Sequence, residues 1–293
     1  MAGSFQYLRP TSPREACALK AEYGPAAAFW AGGTDLLLAW RRGAADFEYC
    51  IDLSDLEGLR TIRREEVGLR VGALSTIASL ETCGDLANGQ AVLLEVARQF
   101  ATPQIRNTAT LGGNLCHAVP SADFAIPLLA LDAQVKLMEI GGERTLPLQE
   151  FFTGPKQTAL RESELLAEVY IPDLPPRSAC SFQRMARSAV DIALVNAAVR
   201  LTVGGGGTIS QARIAMGAVA PVPLRSMPAE EMLLGRRLAE VEGGLLDQVS
   251  ERAAADTRPI TDVRTSAAYR KQVAKVLVRR GLKQVLDELG EAL

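Results

Sequence analysis

An α+β chain in two units is what this sequence predicts, and three observations carry the reading. Its 293 residues exceed the roughly 100–200 that one domain holds. The run Pro172-Asp173-Leu174-Pro175-Pro176 interrupts helix and strand alike, because proline has no amide donor and a fixed φ. Before that run short strands alternate with helices; after it three runs of strand period follow one another and helices fill the remainder. The expected division is residues 1–173, with subdomains at about 1–55 and 56–173, and residues 177–293.

Ser12 and Pro13, with Glu15, start a helix over 13–20, since Ser accepts from a free amide and Pro suits the first helical position. Gly24-Pro25 breaks it. Residues 26–30 form a short apolar strand ending at Gly32-Gly33, a helix follows over 34–40, and 49–52 closes a βαβ-like element. Alternation over 59–71 around Glu65-Glu66 predicts a hairpin, followed by helices over 76–83 and 91–100. Past a glycine-rich passage, 124–131 reads as a buried helix, 134–140 as a strand turning at Gly141-Gly142, and 165–171 as a strand stopped by Pro172. Beyond the boundary, 181–185, 193–203 and 208–219 read as antiparallel strands, the last two joined by a turn at Gly204 to Gly207. Helices are expected at about 228–235, 244–255 and 266–289.

The 32 Lys and Arg against 34 Asp and Glu give a net charge of -2, which lacks the basic footprint of a nucleic-acid or anionic-membrane binder. The longest stretch free of Asp, Glu, Lys and Arg, 107–122, is too short and too polar for a membrane span. The N-terminus shows no secretory pattern, so a cytoplasmic protein is expected. Five dispersed cysteines, with no CxxC pair, and the single His117 offer no metal signature and suit a reducing compartment.

Two segments carry chemistry. In Ala31-Gly32-Gly33-Thr34-Asp35-Leu36 a strand delivers two glycines to a helix start, where free amides and the positive helix end favour a phosphate. The run from Gln104 to Asp123 is uncharged between Arg106 and Asp123, exposes backbone at Gly112-Gly113, and offers Thr110, Asn114 and Ser121 as hydrogen-bonding groups. Asp123 is an acid of the kind that binds ribose or ribityl hydroxyls. Each segment also reads as a structural turn, with Thr34, Asp35 or Asp123 as a helix cap. There is no GxGxxG after a strand and no GxxxxGK[ST], which disfavours a Rossmann or P-loop protein.

Taken together, AGGTDLLL at 31–38, QIRNTATLGGNLCHAVPSAD at 104–123, FQRMARSAVDIALVNAAVRL at 182–201 and DVRTSAAYRKQVAKVLVRR at 262–280 resemble the FAD-binding medium subunit of molybdenum hydroxylases. The flavin subunits of bacterial xanthine dehydrogenases, carbon monoxide dehydrogenases and 4-hydroxybenzoyl-CoA reductases belong to that family. The resemblance runs in order along essentially the whole chain. It implies a two-subdomain FAD-binding fold of the vanillyl-alcohol-oxidase/PCMH type, followed by a small antiparallel sheet with a helical bundle.

The resemblance also implies roles. Ala31, Gly32, Gly33, Thr34 and Asp35, flanked by Trp30 and Leu36, match the loop that wraps the FAD pyrophosphate. Thr110, Gly113 and Asn114 match the second FAD loop, with His117, Ser121 and Asp123 further along; Asp123 falls on the family's acid near the adenosine ribose. Leu165 or Leu166 matches an apolar contact to the adenine or flavin region, and Arg184 a basic position beside the flavin. His117 stands where many relatives carry Thr or Ala, and because the family binds FAD non-covalently the resemblance implies a hydrogen-bonding role. No cysteine-rich insertion is present, which weighs against the 4-hydroxybenzoyl-CoA reductase branch and its extra iron-sulfur cluster.

Implied partners are a small subunit with two 2Fe-2S clusters and a large subunit with the molybdenum cofactor, in a dimer of heterotrimers. The large subunit oxidises the organic substrate, so no catalytic residue is expected on this chain. Electrons are expected to reach FAD from the clusters and leave to an acceptor such as NAD. A free-standing FAD-dependent oxidoreductase with its own substrate pocket is the alternative, and a scaffold that has lost FAD is a third reading.

Overall fold

In the computed structural model, which describes residues 4–86 and 88–291, the N-terminal segment folds around a parallel three-stranded sheet. Its elements are β1 (Gln6–Leu8), α1 (Pro13–Tyr23), β2 (Ala27–Trp30), α2 (Leu36–Arg41) and β3 (Tyr49–Asp52), with strand order β1-β3-β2. Ser12 accepts from the Glu15 amide at 3.2 Å, and Gly24, with φ of 53°, ends α1. β3 is central because Cys50 and Ile51 are fully buried there. The short β1 is an addition to the expected elements.

The second layer is an antiparallel sheet ordered β4-β5-β10-β6-β7, made of β4 (Ile62–Glu65), β5 (Gly68–Gly72), β6 (Gln134–Glu139), β7 (Gly142–Pro147) and β10 (Leu165–Pro172). Between β5 and β6 run α3 (Ile77–Glu81), α4 (Val92–Gln99), α5 (Pro103–Arg106), α6 (Leu111–Cys116) and α7 (Ala125–Ala130). After β7 come α8 (Leu148–Phe151) and the two-stranded hairpin of β8 (Phe152–Gly154) and β9 (Gln157–Thr158). The glycine-rich passage is thus not plain loop. Thr102 caps α5 and Thr110 caps α6, each accepting an amide three residues on.

β11 (Ser178–Met185), β12 (Val195–Val203), β13 (Ile209–Gly217) and β14 (Leu224–Arg225) form an antiparallel sheet in that order, packed with α9 (Met227–Glu231), α10 (Gly244–Ala255) and α11 (Ala267–Glu291). β12 is buried along all of its length, as a strand covered on both faces must be.

The third sheet is joined to the second through α7. Every residue of α7 is buried, the state of a helix apolar all round, and Ile126 shares one core with Leu69 and Val135 on one side and Phe182, Ala198 and Ala215 on the other. At the C-terminal end of α7, Asp132 takes Arg200 at 2.7 Å, Arg213 at 2.9 Å and Arg225 at 3.3 Å, guanidiniums from three neighbouring strands. Among the described residues no helix is long and apolar enough to cross a membrane.

Candidate functional site

The two glycine segments meet. β2 hands the chain to Ala31, and a Cβ on Gly32 would overlap the Thr108 carbonyl, so the two backbones touch there. Gly33 adopts φ of 66° beneath the Trp30 indole, whose Cε2 would lie 2.5 Å from an added Cβ. In the second segment the Gly112 amide donates to the Ala73 carbonyl at 2.8 Å, and Leu111 donates to Ser75 at 3.0 Å. These bonds tie α6 to the end of β5. Thr110 Oγ1 accepts from the Gly113 amide at 3.0 Å.

Between the segments lies a cavity of about 410 Å³. Ala31, Gly32, Gly33, Thr34, Asp35 and Leu36 form one wall, and Thr110, Gly113, Asn114 and His117 another. Leu165 and Leu166, at the start of β10, close a third side. Among the described residues no backbone or side-chain acceptor takes the amides of Gly32, Gly33, Thr34, Asp35 or Leu36. The first amides of a helix have no partner within it, and here they stand in a row on the cavity wall, where they can donate to an anion. Asn114 Oδ1 is buried and likewise without a partner. His117 Nε2 stands 3.7 Å from Asp35 Oδ1.

Residues not singled out from the sequence complete the walls: Phe29, Leu53, Phe100, Leu160 and Cys116 supply apolar surface, and Lys156 reaches in from the β8–β9 turn. Burial pushes the Cys116 thiol up to about 12, which keeps it protonated and unreactive. Lys156 is distant in sequence from both glycine segments and Phe100 stands just before the second, and no local pattern marks either.

A second cavity of about 290 Å³ shares Ala31, Gly32, Leu74 and Thr110 with the first, and Trp30 lies on its wall. Tyr7 donates to Asp52 beside it, which raises the phenol to about 12. Ser121, Asp123 and Arg184 line neither cavity. Asp123 pairs with Arg184 at 3.3 Å and accepts from Asn196 Nδ2 at 2.7 Å, all within the buried seam toward the third sheet. Burial pushes the Asp123 carboxyl up, against the opposing pull of Arg184 and Asn196.

Open amides in series beside apolar walls suit a ligand that carries both an anionic group and apolar surface. FAD fits these residues: the orphaned Asn114 oxygen can accept from one of its hydroxyls, the unpaired amides can donate to its phosphates, and glycine at 32 and 33 keeps side chains out of the approach.

Comparison with known proteins agrees. The FAD binding domain in molybdopterin dehydrogenase matches residues 3–174, and the CO dehydrogenase flavoprotein C-terminal domain matches residues 180–285. The alpha subunit of the 6-hydroxypseudooxynicotine dehydrogenase complex of Paenarthrobacter nicotinovorans is 33% identical over 97% of this chain and 95% of its own. The xanthine dehydrogenase FAD-binding subunit of Escherichia coli O157:H7 is 30% identical over 98% of both. A carbon monoxide dehydrogenase structure from Hydrogenophaga pseudoflava superposes with a TM-score of 0.92 at 32% identity, over 97% of each chain. This chain belongs to the family of FAD-binding subunits of molybdenum hydroxylases, and is a flavoprotein subunit of an oxidoreductase. Its fold is the expected one, an FAD-binding part followed by a small antiparallel sheet with helices.

Proposed function

We propose that the chain holds FAD non-covalently in the cavity between the two glycine segments and carries electrons for a three-subunit molybdenum hydroxylase. The observation that carries this reading is the run of open amides from Gly32 to Leu36 on the wall of a cavity that also offers apolar surface. Those amides bind the diphosphate; Thr34 and Asn114 orient it; Leu165, Leu166 and Phe100 pack the ring systems and exclude water. Trp30 holds Gly33 in its left-handed turn. Ser121, Asp123 and Arg184 lie outside the cavity walls, and their part in holding FAD is proposed on the family resemblance alone, with Asn196 and Arg184 fixing the Asp123 carboxylate. When bound, FAD supplies a carrier that exchanges electrons singly or in pairs.

The donor in this reading is an iron-sulfur small subunit with two 2Fe-2S clusters, and the substrate is oxidised on a molybdenum large subunit. Relatives named for 6-hydroxypseudooxynicotine, xanthine and carbon monoxide dehydrogenases share this one scaffold, which supports placing substrate choice elsewhere. NAD is the proposed acceptor, and a dimer of heterotrimers the proposed assembly, both on the strength of the family resemblance. Five free thiols support a cytoplasmic setting. The division at 1–173 and 177–293 is supported by a break between β10 and β11 at the proline run.

Co-expression with iron-sulfur and molybdenum subunits encoded beside it should give a co-purifying complex whose flavin bleaches when the molybdenum substrate is added, and recolours with NAD. A colourless chain, or a flavin reduced by an organic substrate without partners, would overturn the reading.

A further inference from the structure

We propose that Lys156 supplies the cation for the diphosphate of FAD, closing the anion site from the side opposite the glycine loop. The inference rests on FAD occupying the larger cavity and adds to it a residue that selects a charged dinucleotide. Amides offer dipoles but no net charge, and a diphosphate brings two negative charges into a pocket whose wall already carries Asp35 and Glu164. Glu164 is satisfied by Arg144, at 2.6 and 2.7 Å. Lys156 is the one Lys or Arg among the described residues of that wall, and no carboxylate among them pairs with it.

Its position is built. Lys156 sits at the tip of the β8–β9 hairpin with φ of 58°, a conformation disfavoured for a side chain of its kind. Its amide donates at 2.9 Å to the carbonyl of Ala118, itself at φ of 48°. Two residues in the left-handed region thus bond to each other just past α6. Such strain persists only where the surroundings over-determine it, and here it fixes the turn that puts the exposed Lys156 on the cavity wall.

The test strips flavin from the protein and titrates it with FAD at low and high salt. Lys156→Asn keeps the turn, because Asn tolerates the left-handed region, and removes the charge; Lys156→Arg keeps the charge. The Asn variant should bind FAD roughly tenfold more weakly at low salt, as loss of one charge-assisted contact predicts. Its affinity should also depend less on salt than the parent's, and the Arg variant should behave as the parent. Thermal melts of the flavin-free proteins separate a folding defect from a binding one. Unchanged FAD affinity in the Asn variant would overturn the proposal, as would a loss that salt does not narrow, or a variant with full FAD affinity but a raised KM for NADH. Failure of the parent to bind FAD would instead overturn the reading on which it rests.

Discussion

A Cβ added at Gly112 would lie 2.6 Å from Ala73 Cβ and one at Gly32 would overlap the Thr108 carbonyl, whereas Gly205, Gly206 and Gly207 would meet nothing within 4 Å. Both regions look alike in composition, yet the first is crowded and the second empty. At the cavity, glycine removes volume so that two backbones close on each other and leave a row of amides without protein acceptors. Between β12 and β13 it supplies only rotation: Gly206 and Gly207 have φ of 74° and 76°, and Gly204 donates to Thr208 at 2.8 Å. A glycine pair therefore points to a ligand when what it lacks is needed by a neighbour, and to a turn when nothing is near.

The largest effect expected from this contrast is at Gly33. Valine there meets both a φ of 66° and the Trp30 ring, so the loop must move and its amides with it. Gly33→Val should purify with most of its flavin lost, which takes a fall in affinity well beyond the tenfold that about 1.4 kcal/mol brings. Flavin absorbance per chain measures it, and full occupancy would sink the loop's assignment.

Gly112→Val should act on the fold before the ligand, because the Cβ would strike Ala73 backbone as well as side chain, with the carbonyl oxygen at 2.7 Å. Destabilisation of about 3 kcal/mol is expected for such overpacking, read as a lowered urea midpoint in the flavin-free chain. A neutral midpoint would mean that close approach is not what this glycine provides.

Asn114 separates binding from folding. Its Oδ1 is buried with no partner, so truncation removes no bond from the empty chain and relieves an unsatisfied acceptor. Asn114→Ala should change the melting free energy by less than about 1 kcal/mol while weakening FAD roughly tenfold. Equal losses in both would make Asn114 a structural residue.

How far the sequence could be read follows the same division. α10 falls at Gly244–Ala255, where its pattern placed it, and the apolar block around Ile126 is the buried helix it resembles. Both signals are local. β1, at Gln6–Leu8, pairs with β3 some forty residues away and is only three residues long and mostly exposed, so no periodicity betrays it. α5 and α6 were hidden by glycine and proline content, although Thr102 and Thr110 stand as their caps. At the site, the two glycine loops were legible as motifs. Phe100 and Lys156 reach the same cavity only through the packing of α4 and the β8–β9 hairpin, and the three arginines on Asp132 come together only through strand register.

The smallest predicted effects belong to the empty turn and test the contrast from its other side. Gly206→Ala must hold alanine at φ of 74°, which costs about 1 kcal/mol through backbone strain alone. Gly205 has open space around it and no left-handed φ, so Gly205→Ala should stay within about 0.5 kcal/mol. Neither should lower flavin content, because the turn lies between β12 and β13 and lines neither cavity. Urea midpoints and flavin absorbance of the two variants, measured beside Gly33→Val, separate rotation from approach. If Gly205→Ala lost flavin, glycine content rather than crowding would mark the site, and the distinction between the two regions would fail.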